Sequence, residues 1–110
     1  MLDIDDRENA TIIHVLDDID LASAGQLESA LPKTRSEKPV IVSLAGCSYC
    51  DSSGLTVLVR AKKRLDGNFA IVVPNDGSCN RTFEVTALDR VLPIYRSLEA
   101  ALDSFARQAS

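Results

Sequence analysis

The sequence predicts an α/β fold: a mixed sheet of four to five strands with parallel central strands, accompanied by about four helices. Three observations carry that prediction. Short apolar, β-branched runs recur at Thr11 to Leu16, Pro39 to Leu44 and Phe69 to Val73, the composition of strands covered on both faces. The segments between them are long enough to hold helices and repeat their apolar residues at helical spacing, which calls for parallel strands joined by right-handed crossovers. An extended segment ahead of the first run leaves no room for a crossover, so the sheet opens with a hairpin.

Taken in order, the first strand is short, about Met1 to Ile4. Thr11-Ile12-Ile13-His14-Val15-Leu16 follows as a mostly buried strand. Asp17-Asp18-Ile19-Asp20 is a turn, after which Asp20 or Ser23 can accept backbone N–H bonds at the start of a helix. Ala24, Leu27 and Leu31 form one stripe of that helix, and Pro32 ends it by biasing Leu31 away from helical geometry. A charged connection from Lys33 to Lys38 leads into Pro39 to Leu44, a central strand.

A second helix follows Asp51-Ser52-Ser53-Gly54. Leu55, Leu58, Val59 and Leu65 lie on or near one face, and Arg60, Lys62, Lys63 and Arg64 read as a solvated face that could also meet an acidic partner. Asp66-Gly67 closes the helix, with Gly67 expected to take the left-handed backbone. Phe69 to Val73 is a strand, and Pro74 to Gly77 a loop of turn formers. A short helix is expected from Asn80 to Val85 and an edge strand within Val91 to Tyr95. The last helix has Ser97 as cap, Glu99 in its first turn, and Leu98, Ala101, Leu102 and Phe105 on one face.

The totals bound the function. At 110 residues the chain suits one domain, 1–110, large enough to be stable without metal or disulfide support. Apolar residues at 45% and charged residues at 25% are ordinary for a globular protein. A net charge of −4 disfavours nucleic acid and anionic membrane as partners, since both demand basic patches. The acidic start, MLDIDDRE, is unlike a secretory signal, and the apolar runs fall far short of the ~20 residues that span a bilayer. These features predict a cytoplasmic protein. Three cysteines, an odd number, argue against a disulfide framework. Cys47 and Cys50 form a C-x-x-C, but a zinc site would need Cys79 and His14 from distant segments, so buried thiols without a metal or cofactor are expected.

The chemistry concentrates in Leu44-Ala45-Gly46-Cys47-Ser48-Tyr49-Cys50-Asp51-Ser52-Ser53-Gly54-Leu55, where a strand gives way to a helix. Taken alone, D-S-S-G reads as a helix cap. A helix start also carries free N–H groups and partial positive charge, which suits an oxyanion, and a hydroxyl there lies within reach of another protein. Tyr49, just before it, serves packing or recognition.

The pattern as a whole resembles the STAS domain of anti-sigma factor antagonists. The acidic turn Asp17-Asp18-Ile19-Asp20, the aspartate-serine-serine-glycine-leucine of Asp51 to Leu55, Gly67 ahead of a strand, and Phe83 followed by Thr86-Ala87-Leu88 all match in order and spacing. Two positions depart. Asp17 and Ala87 stand where glycine is usual, which bears on local backbone shape and partner fit more than on fold.

The resemblance implies that Ser52, with Ser53 as alternative, is phosphorylated by an anti-sigma factor that is itself an ATP-dependent serine kinase. It implies that Asp18, Asp20, Asp51, Ser53 and Gly54 belong to the partner-binding surface. On that reading the protein frees a sigma factor in transcription regulation and stress response, through partner switching by a phosphoprotein. Related domains also serve as accessory subunits of lipid transporters or of stress-signalling complexes, an alternative that neighbouring genes would separate. Intrinsic catalysis is disfavoured. Ser52 or Ser53 as nucleophile needs a base, and the lone His14 sits in an apolar strand as core or sheet-face filler.

Overall fold

The computed structural model describes residues 2–33, 37–75 and 78–109, without the side chains of 78, 108 and 109. The expected start of the first strand at Met1, the middle of the charged connection at 34–36, and Asp76 and Gly77 of the expected loop lie outside the described residues.

Five strands, β1 (Leu2–Asp6), β2 (Thr11–Val15), β3 (Val40–Ser43), β4 (Phe69–Val72) and β5 (Ile94–Tyr95), form one sheet in sequential order. β1 and β2 pair antiparallel, and every later pair is parallel. Four helices accompany them: α1 (Leu21–Ala30), α2 (Ser52–Leu65), α3 (Ser78–Val85) and α4 (Leu98–Ala109). When each parallel strand is added on the same side of the last, crossovers of one hand deliver their helices to one face. The core agrees. Ile13, Val42 and Ile71 pack with Leu27 of α1, Leu58 of α2 and Phe83 of α3. The alternate residues Ile12, Ile41 and Ala70 face the other way and are covered by Ala101 and Phe105 of α4.

Several boundaries move. β1 runs on to Asp6, because Asp6 pairs with Thr11 across the hairpin. β2 stops at Val15, and Leu16, expected in the buried strand, is exposed. α3 begins two residues earlier than expected, and the edge strand shrinks to Ile94–Tyr95 behind a 3₁₀ turn at Leu88–Arg90. Ser97 accepts the N–H of Ala100 at 3.1 Å and caps α4 as expected.

The end of α2 departs from expectation in its chemistry. The residue at positive φ is Asp66 (φ 51°), while Gly67 enters a short 3₁₀ turn with no positive φ. Its ψ of −122° lies outside the left-handed helical region, and the chain turns one residue early. Arg64 is not solvated with its neighbours. Its Nε donates to the carbonyl of Pro32 at 3.0 Å and its guanidinium pairs with Glu28 at 3.0 Å, tying α2 to the end of α1.

Candidate functional site

The site forms at the carboxyl ends of the parallel strands, where the segment after β3 turns over the sheet to start α2. Leu44 N–H bonds the Val72 carbonyl, and Cys47 N–H closes a turn on Leu44. The chain then meets the acidic turn. Ile19 N–H donates to the Tyr49 carbonyl at 2.8 Å and Asp51 N–H returns to the Ile19 carbonyl at 3.0 Å, a parallel bridge between Ile19 and Cys50. Ser48 N–H adds a bond to the Asp18 carboxylate at 3.1 Å. Two loops distant in sequence are thereby joined into one surface, and buried Ile19 anchors it to the core.

Asp51 caps α2, its carboxylate accepting the Gly54 N–H at 3.1 Å. Ser52 is therefore the first helical residue and is exposed; Ser53, one step on, is half-buried. Asp20 caps α1 in a reciprocal box: Ser23 N–H donates to its carboxylate at 2.9 Å and Asp20 N–H to the Ser23 hydroxyl at 2.8 Å. The Ser23 backbone N–H, with its hydroxyl, holds the Asp20 carboxyl below its ordinary value. The structure thus brings Asp18, Asp51, Ser52 and Ser53 onto one surface, with Asp20 exposed at the start of α1.

Gly54 differs from the rest of that set. It is buried, and a Cβ built there would lie 2.6 Å from both Cys50 Sγ and Ile19 Cγ2. It lets α2 approach the bridge closely, so its part in the site is to set the position of the helix start.

Sequence reasoning missed Leu16 and Leu21 of this surface and left Tyr49 between packing and recognition. Leu16, Leu21 and Tyr49 are 47, 77 and 56% exposed, an apolar rim beside the acidic groups. Leu21 has helical spacing to Ala24, so only its position on the first turn of α1 leaves it uncovered. From Ser52 a shallow depression of about 390 Å³ runs along α2, lined by Leu55, Val59 and Leu88 and edged by Arg60 and Lys63. A larger hollow, about 610 Å³, lies at the opposite end of the sheet beside Glu8, Lys38 and Phe105.

His14 shares the α4 face with Ile12, whereas α2 packs on the other face, so the sheet separates the histidine from Ser52. Cys47, Cys50 and Cys79 are buried free thiols. Among the described residues no group of three or more His, Cys, Asp or Glu side chains is arranged to hold a metal.

The two departures from the family pattern are unequal. Asp17 has no positive φ, whereas Ala87 occupies the left-handed region at φ 60°, ψ 16°.

Comparison with known proteins agrees with this architecture. The family model for the STAS domain matches residues 1–101. The chain belongs to the STAS domain family. The fold of this STAS domain is shared with an anti-sigma factor antagonist from Mycobacterium paratuberculosis, 23% identical with a TM-score of 0.79 over 96% of this chain and 93% of that one. An antagonist from Thermotoga maritima superposes at a TM-score of 0.80 with 20% identity, over 96% and 94% of the two chains. The antagonist SpoIIAA in its unphosphorylated form matches at 0.70 with 14% identity, over 94% and 95%. Among the described residues of this STAS domain, no helix is long and apolar enough to cross a membrane.

Proposed function

We propose that this STAS domain is a cytoplasmic anti-sigma factor antagonist that binds a serine-kinase anti-sigma factor and is released by phosphorylation at Ser52. The observation that carries the reading is the exposed Ser52 hydroxyl on the first turn of α2, beside Asp51 and the strapped acidic turn. Exposure favours Ser52 over half-buried Ser53 as acceptor. Asp18, Asp20, Asp51 and Ser53 supply an acidic and polar docking surface, Leu16, Leu21 and Tyr49 its apolar rim, and Gly54 positions the helix start. The antagonist relatives with the same fold support the choice of partner.

The switch works by charge. Phosphorylation adds about −1.5 to −2 charges next to Asp51 and Asp18. In the free protein the helix dipole offsets that by up to about 1 kcal/mol, so the fold tolerates it. Against a partner, desolvation and repulsion of the same charge cost several kcal/mol. A loss of about 3 kcal/mol weakens binding more than a hundredfold. The test is capture of the cognate anti-sigma factor on immobilised wild type, Ser52→Ala and Ser52→Asp. Wild type and Ser52→Ala should retain it and Ser52→Asp should not, and ATP with the bound kinase should add one phosphate to wild type only. Equal capture by Ser52→Asp and wild type would end the proposal.

A further inference from the structure

The site leaves one cluster of nucleophilic groups unused. Cys47 lies in the segment that leads to Ser52, and Cys79 on the first turn of α3, 32 residues further along. The Cys79 thiol donates to the Cys47 carbonyl at 3.1 Å and lies 3.4 Å from Cys47 Sγ. Cys50, the other half of the C-x-x-C, packs against the space above Gly54.

We propose that Cys47 and Cys79 are a redox pair, oxidised by a hydroperoxide to a disulfide that fastens the Ser52 segment to the start of α3. The electrons and protons balance in two steps. The Cys47 thiolate attacks the peroxide oxygen, the O–O bond breaks, and the departing oxygen leaves as water after taking a proton, giving a sulfenic acid. The Cys79 sulfur then attacks the sulfenic sulfur, the S–O bond breaks, and hydroxide leaves as water with the Cys79 proton. Two thiols lose two electrons and two protons, and hydrogen peroxide becomes two waters.

The surroundings assign the order. The contact between the two sulfurs holds the Cys47 thiol below its ordinary value, while the same contact and burial push the Cys79 thiol up. Burial raises Cys50 to about 12, and its thiol packs at Gly54 rather than in the 3.4 Å contact that Cys47 and Cys79 make. Cys47 is covered by a surface turn whose Ala45, Gly46, Ser48 and Tyr49 are all exposed, so a small oxidant needs only that turn to open. A bond between Cys47 and Cys79 restrains the residues that set Ser52 and Tyr49, and the consequence for partner binding rests on the antagonist reading.

Hydrogen peroxide on the purified protein tests the pair without any partner. Digestion under non-reducing conditions should then show Cys47 and Cys79 peptides linked, with the mass of two hydrogen atoms lost and Cys50 still open to alkylation. Cys50→Ser should form the same link. Cys79→Ala should instead hold Cys47 as a sulfenic acid that dimedone captures. Full alkylation of both Cys47 and Cys79 in treated wild type, or a Cys47–Cys50 link, overturns the proposal. Because wild type alone gives that answer, poor folding of a variant does not blunt it. Slower phosphorylation of the oxidised form by the kinase is the separate functional readout. A disulfide with an unchanged rate retains the pair and removes only its control over Ser52.

Discussion

Replacing Ala87 by glycine should make this STAS domain more stable, an unusual direction for a change that deletes a methyl group. Ala87 joins α3 to the 3₁₀ turn at φ 60°, ψ 16°, donating its N–H to Glu84 and accepting from Arg90. In that region an L-residue brings Cβ close to the following carbonyl oxygen, at a cost of about 1–2 kcal/mol that glycine escapes. Glycine returns about 0.4–1 kcal/mol through the greater freedom of the unfolded chain. The side chain is exposed, so little packing is lost. The net gain is about 0.5–1 kcal/mol, or a Tm rise of about 2–4 °C for a domain near this size. Thermal and urea unfolding of Ala87→Gly, compared with Ala106→Gly on exposed helical turn of α4, checks the sign. The helical control should lose about 1 kcal/mol. If both glycines destabilise equally, the left-handed strain at Ala87 is not real.

The same logic of space and contact yields three further expectations. Gly54→Ala should cost about 1–3 kcal/mol, since its Cβ would strike Cys50 and Ile19, whereas Gly25→Ala in open space on α1 should gain about 0.5–1 kcal/mol; urea midpoints of the two variants must move in opposite directions. Arg64→Ala should cost about 1 kcal/mol through loss of its links to Pro32 and Glu28, while Arg60→Ala and Lys63→Ala stay within about 0.5 kcal/mol of wild type in the same assay. Lys38 beside Asp6, and the Ser23 N–H on Asp20, hold both carboxyls below their ordinary value of 3.8. Depressed acids add stability that is complete above the unfolded value and lost as pH falls through the folded one, so stability should decline below about pH 4. Asp6→Ala and Asp20→Ala should flatten that acid limb, and identical slopes in variant and wild type would refute the assignment.

What the sequence by itself determined lies close along the chain. Strand composition, helical spacing, the Asp51 cap before Ser52 and the Ser97 cap before α4 each depend on residues within a turn or two, so their chemistry is legible without neighbours. The order of alternating elements then favours parallel pairing with right-handed crossovers. Tertiary structure alone decided the contacts between distant segments. It joined Ile19 to Cys50, turned Asp18 onto Ser48, buried Gly54, drew Arg64 onto Pro32 and brought Cys79 beside Cys47. It also left Leu21 exposed despite its helical spacing and forced positive φ on Asp66 and Ala87. Local preferences are settled by a few neighbouring dihedrals, whereas these features follow from register and from which loops share the carboxyl end of the sheet. That end is where the candidate switch is built.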